Sequence, residues 1–309
     1  MARPTPLLSA LVSALLLAGC GGKGAPGPAS GTRGGTETSD GTGGEPRPRA
    51  PAPRPRTRRP GRAPTAGLAP LGPGVALTDG SQMAVAAGQV AHGARSRREI
   101  ALTFDADMTR AMLATLRSGR VSGWLDRRLF AELRATRTPA TIFLTGLWTR
   151  QYPAQVRRLA RDPLFELANH SIDHAAFATP CFGLPTVAGA AAKRQEVVGA
   201  AHTIEQIAGV RPRYFRFPGG CARPSDVSLV EGAGERPVLW DVVSGDAFQR
   251  DPNVIVRAVL AQARPGSIVV AHCIGAPNTP ATAAAMRVII PTLRARGYRF
   301  VTLSQLLAG

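Results

Sequence analysis

From Glu99 to the C-terminus short apolar runs alternate with longer amphipathic stretches, and that alternation leaves few folds open to the chain. Seven runs read as strands: IALTF, ATIFLTG, LFELAN, RYFRF, PVLWDVV, SIVVAH and RFVTL, most of them β-branched or aromatic and bounded by turn residues. Between them lie WLDRRLFAELRAT, AAAKRQEVVGAAHTIEQIA and TAAAMRVIIPTLRARG, which read as amphipathic helices. Strands and helices in regular alternation build a parallel sheet covered by helices, either open or closed into a barrel. In both forms the C-terminal ends of the strands gather on one face, where sites are built. Functional side chains are therefore expected just after the strands.

Five strand ends carry ionisable residues. ALTFDADM ends the first strand with Asp105 and Asp107, two carboxylates whose repulsion and lost hydration call for a cation or a catalytic use nearby. Along a strand these two face the same side, with Ala106 turned away. The third strand runs into NHSIDH, which sets His170 and His174 four residues apart. RFPGG brings Arg216, VVSGD brings Asp246 and VVAH brings His272. Two histidines at that spacing on one turn of chain can reach one metal ion, and a carboxylate from a neighbouring strand completes a ligand set with open positions for water and substrate.

The N-terminus has a different character. MARPTPLLSALVSALLLAGC has a short basic start, an apolar run too short to span a bilayer comfortably and small residues before Cys20, the pattern of a signal peptide. LAGC resembles the lipobox of bacterial lipoproteins, in which the cysteine is lipidated and becomes the new N-terminus. Residues 21–76 are Gly, Pro, Thr, Ser and Arg with few apolar groups, a linker that cannot bury enough surface to offset its ordering entropy. Its Pro-rich half is expected to be an extended stalk. Residues 77–96 form a connecting segment of undecided character, in which His92 reads as a surface residue without a role. The folded domain is expected over 97–309.

The formal net charge is +18, almost all of it arginine and much of it in PRPRAPAPRPRTRRPGRAP. Such a run is a solvated segment, or a second, electrostatic hold on anionic lipids or acidic wall polymers. Nucleic acid is a poor partner, because aromatic residues make up 5% of the chain and none is interleaved with these arginines. Of the four cysteines three remain beside Cys20, which allows one internal pair. Cys181, in the loop after the histidine pair, and Cys221, after RFPGG, lie at the same face of the sheet and are expected to form a disulfide. Cys273 alternates away from His272 and reads as a buried structural thiol.

Taken in order, TFDAD, HSIDH, RFPGG, WDVVSGD and VVAH resemble the five motifs of the polysaccharide deacetylase family, the NodB homology domain of carbohydrate esterase family four. The resemblance spans roughly residues 97–307. It implies a distorted (β/α) barrel of about seven parallel strands and removal of N-acetyl groups from GlcNAc polymers such as peptidoglycan or chitin, or of O-acetyl groups from xylan. By the family pattern a divalent metal, zinc before cobalt or nickel, would be held by Asp107, His170 and His174. Asp105 would be the general base, held ionised by Arg216, and His272 the general acid, kept cationic by Asp246.

Three departures bear on the substrate. The commonest family form has adjacent aspartates, TFDDG, where this chain has Ala106 between Asp105 and Asp107. Val270 replaces the usual leucine two residues before the histidine, and Ala247 and Phe248 follow Asp246 where the family has tryptophan. These two changes point to an acyl pocket that is wider or filled by Phe248. Trp148 and Trp240 read first as packing residues, and Trp148, after the second strand, as a candidate sugar platform; Val270, Phe248 and Trp148 are the substrate-pocket candidates. A serine hydrolase is disfavoured, since no G-x-S-x-G elbow occurs. The rival from another class is a non-catalytic, sugar-binding lipoprotein on the same fold. The expected protein is monomeric, exported, and tethered to the outer face of the plasma membrane facing the wall.

Overall fold

A computed structural model describes residues 87–308. Cys20, the lipobox and the stalk at 21–76 lie outside the described residues. The sheet contains β1 (Glu99–Ala106), β2 (Ala140–Leu144), β3 (Phe165–Asn169), β4 (Tyr214–Phe215), β5 (Arg236–Pro237), β6 (Val242–Val243), β7 (Ser267–His272) and β8 (Arg299–Phe300). Every pairing between them is parallel, in the order β5-β4-β3-β2-β1-β7-β6, with β8 added beside the first residues of β1. All eight residues of β1 are buried, as a central parallel strand covered on both faces requires.

The sheet is curled, and chain connectivity shows why. Its two edges, β5 and β6, follow one another in sequence with only residues 238–241 between them. Six strand spacings laid flat would hold the edges about 29 Å apart, whereas the chain from Pro237 to Val242 reaches at most about 18 Å. The expected strand PVLWDVV is thus corrected to two short strands on opposite edges. Between them Arg216 takes the carbonyl of Leu239, and Asp241 accepts from the backbone N–H of Ile268 at 2.7 Å.

The seam between these edges is stitched by residues ahead of β1, so the ordered fold takes in the end of the 77–96 segment. Val90 pairs with Val238 and His92 with Ser267, and Arg95 meets Asp241 at 2.7 Å. Gly93 packs so closely on Gly266 that a Cβ at Gly266 would stand 2.7 Å from the Gly93 carbonyl oxygen. The His92 side chain itself is exposed.

Side-chain alternation along the strands divides the core and positions the site. Ile100, Leu102, Phe104 and Ala106 of β1 join Ile142, Leu144, Val269 and Ala271 against the helical layer. The other face of the same strands packs Ala101, Phe143, Ala168, Tyr214 and Ile268 into the barrel interior. Continuing that alternation puts Asp105, Asp107, His170, Arg216 and His272 on the inner face at the C-terminal mouth, and Cys273 on the outer one. The helices expected at 190–208 and 282–297 form over Ala190–Ala208 and Thr282–Ala295. The helix expected within 124–136 begins at Arg127, capped by Asp126, whose side chain accepts from the N–H of Arg128.

Candidate active site

Five loops deliver the site, and its centre is a ring of unpartnered polar atoms. Asp107 Oδ1 lies 3.4 Å from Nε2 of both His170 and His174. His170 donates from Nδ1 to the carbonyl of Arg216 at 2.8 Å, which orients the ring and turns Nε2 toward the carboxylates. Both His170 Nε2 and Asp107 Oδ1 are buried without a hydrogen-bond partner. Burial lowers the pKa of His174 to about 4 against the opposing pull of Asp107, so this imidazole is neutral near pH 7. Two imidazoles and a carboxylate whose donor atoms lie within 4.8 Å of one another fit one divalent cation. Asp107 meets burial that works against its charge, but His174, His272 and His170 outweigh it and hold the carboxylate below the usual range.

The histidine spacing is achieved by a strained loop and not by a helical turn. Ser171 and His174 both have positive φ, 67° and 61°. Three side chains hold them there. Asn169 Oδ1 accepts from the N–H of Ser171, Ser171 Oγ from the N–H of His174, and Glu196 from the N–H of Ile172 at 2.8 Å. Asn169 is fixed in turn by donating to the carbonyl of Val197 and to Glu235. The sequence pointed to none of these supports except by placing Asn169 beside His170.

Two buried ion pairs flank the ring. Arg216 is fully buried; it donates from Nη1 to Asp105 Oδ1 at 2.6 Å and from Nη2 to Leu239 O at 3.2 Å, with its guanidinium 3.9 Å from the centroid of Phe143. On the other side Asp246 accepts four hydrogen bonds, from Nδ1 and the backbone N–H of His272, from Thr282 and from Ser244. Burial opposes charge on His272, but Asp246 and then Asp107 outweigh it and raise its pKa to about 10. His272 Nε2 faces Asp107 Oδ2 at 3.6 Å, and at 19% its side chain is the most accessible of the set.

The remaining candidates separate. Cys181 and Cys221 form the expected disulfide, and Cys273 is a free, buried thiol whose pKa burial and the neighbouring aspartates push well up. Val270 is buried in the inner wall two residues before His272. Phe248 stands exposed against Phe182. Trp148 is fully buried, donating from Nε1 to Trp124 O at 2.6 Å. It is core and offers no face to a sugar, which corrects its place among the pocket residues. Trp240 is half-buried beside Arg216.

The polysaccharide deacetylase family profile matches residues 92–237. A chitooligosaccharide deacetylase of Azorhizobium caulinodans is 30% identical over 177 residues, which cover 54% of this chain and 80% of that protein. The uncharacterised protein YlxY of Bacillus subtilis is 27% identical over 58% of this chain, and the match spans 52% of its own length. Among solved structures, a peptidoglycan N-acetylglucosamine deacetylase superposes with a TM-score of 0.61 at 23% identity, over 71% of this chain and 92% of that one. A family 4 acetyl xylan esterase of Clostridium thermocellum, solved with a cobalt ion, gives 0.53 at 25% identity over 67% and 89%. The chain belongs to the polysaccharide deacetylase family.

Proposed function

We propose that the protein is a metal-dependent hydrolase that removes N-acetyl groups from a GlcNAc-containing polysaccharide of the cell envelope, such as peptidoglycan or a chitin-like polymer. One observation carries this reading: a buried Asp107, His170 and His174 donor set with unpartnered atoms, flanked by an arginine-held carboxylate and a carboxylate-held imidazole. A divalent cation in that set would supply Lewis acidity to polarise the acetyl carbonyl and to acidify water. Asp105 takes the proton of the attacking water, and Arg216, donating to its Oδ1, fixes its orientation. His272, cationic and with Nδ1 tied to Asp246, turns Nε2 to the site and delivers a proton to the departing nitrogen as the C–N bond breaks. Burial of the pairs keeps these charges from being screened by water.

The lipobox and stalk support export, lipidation at Cys20 and display of the domain toward the wall from the outer face of the membrane. The test is acetate release by the purified protein, stripped of metal and reloaded with zinc, cobalt or nickel, from peptidoglycan, chitooligosaccharides and acetylxylan. Metal-dependent release from the first two is expected. Release from acetylxylan alone would make it an O-acetyl esterase, and binding of saccharide without release would make it a sugar-binding lipoprotein.

A further inference from the structure

Among the phenylalanines, tyrosines and tryptophans of the described residues only two are exposed, Phe182 at 58% and Phe248 at 53%, and they lie against each other with ring centroids 6.1 Å apart. The other eight of the ten phenylalanines are buried. Paired exposed aromatics at the rim of a polar site are not packing, because the contact leaves more than half of each residue in water.

Both are held where they are by the chain that builds the site. Phe182 has φ 46°, a left-handed conformation unusual for a bulky residue, and strain of this kind collects where it serves function. It follows Cys181, whose bond to Cys221 ties the loop after His174 to the loop after Arg216. Beneath it Gly219, at φ +62°, comes so close that a Cβ would stand 2.6 Å from Cys181 Sγ and 3.2 Å from the Phe182 ring. Phe248 sits two residues beyond Asp246, in a turn in which its N–H donates to Gly245 O at 2.9 Å. The two rings thus come from loops that follow β3 and β6, elements on opposite sides of β1.

We propose that Phe182 and Phe248 form a carbohydrate-stacking subsite for a pyranose ring next to the one that carries the acetyl group. Two apolar rings without hydroxyls recognise the C–H face of a sugar by dispersion and burial, and leave reading of the acetyl group to the polar centre. The subsite suits a polymer lying across the mouth and adds nothing for a lone monosaccharide. It rests on the polysaccharide reading above.

The test is calorimetric binding of fully deacetylated glucosamine tetramer and the kinetics of acetate release from the N-acetylated tetramer, for wild type and the F182L, F248L and F182W variants, with thermal melting as the folding control. Leucine keeps apolar bulk without a ring face, so each leucine variant is expected to weaken tetramer binding about tenfold and to raise KM more than it lowers kcat. F182W should recover binding. Unchanged tetramer affinity in both leucine variants, or an F182W variant as weak as F182L, overturns the subsite. If wild type binds the tetramer in a ring-dependent way but releases no acetate, the subsite stands and the deacetylase reading falls; acetate release with unaltered KM in the leucine variants does the reverse.

Discussion

Arg216 donates to Asp105 at 2.6 Å in a place where neither side chain is more than 5% exposed. A buried pair broken on one side leaves an uncompensated charge, which typically costs about 3–5 kcal/mol. Arg216→Met is therefore expected to lower stability by about that amount in urea unfolding and to abolish acetate release. Arg216→Lys keeps the charge but cannot keep both the Leu239 contact and the stack on Phe143, so it should fold and lose activity. An Arg216→Met protein as stable and as active as wild type would show that the pair does neither job.

Asp246 governs the alkaline limb of the pH profile. Its anion stabilises the protonated form of His272, so in Asp246→Asn the imidazole pKa falls and less of it is protonated at any given pH. The fall of kcat/KM with rising pH should then begin at lower pH, by about one unit or more, while the rise on the acid side should stay in place. A profile with the acid limb displaced instead would exchange the two assignments.

Glu235 makes the fold sensitive to pH away from the chemistry. It is buried, receives one hydrogen bond from Asn169 and leaves Oε2 without a partner, and burial raises its pKa to about 8 from an ordinary 4.5. Above 4.5 the unfolded chain has released this proton while the folded chain keeps it, so stability is full below that pH and declines until about pH 8. The decline is at most about 1.4 kcal/mol per pH unit. Glu235→Gln keeps an acceptor for Asn169 and removes the titration. The stability of the variant relative to wild type, from urea midpoints, should therefore rise between pH 5 and pH 8; a constant difference would mean that Glu235 is ionised in the fold.

Much of this was legible because the chain repeats simple patterns. Continuous apolar runs marked β1, β2 and β7, and alternation along them put Asp105, Asp107 and His272 on one face. What escaped depends on contacts between distant residues. PVLWDVV has the composition of one strand, and only closure of the barrel splits it between two edges. Trp148 follows a strand end as a sugar platform would, but the carbonyl of Trp124 claims its indole N–H and draws it into the core. NHSIDH disclosed the two histidines that meet Asp107 and not the left-handed backbone at Ser171 and His174, which Asn169 at the strand end and Glu196, on a helix 24 residues beyond Ile172, help to sustain.

The most direct test of the account compares Asp105→Asn with Asp107→Asn for metal content and acetate release. Asp107 Oδ1 faces both imidazole nitrogens, whereas Asp105 Oδ1 is bound to Arg216. Asp107→Asn is expected to lose most of its bound metal, and Asp105→Asn to keep metal near the wild-type amount but lose nearly all turnover. Metal-free Asp105→Asn beside a metal-replete, inactive Asp107→Asn would exchange the two roles, and wild-type metal and turnover in both variants would contradict the site altogether.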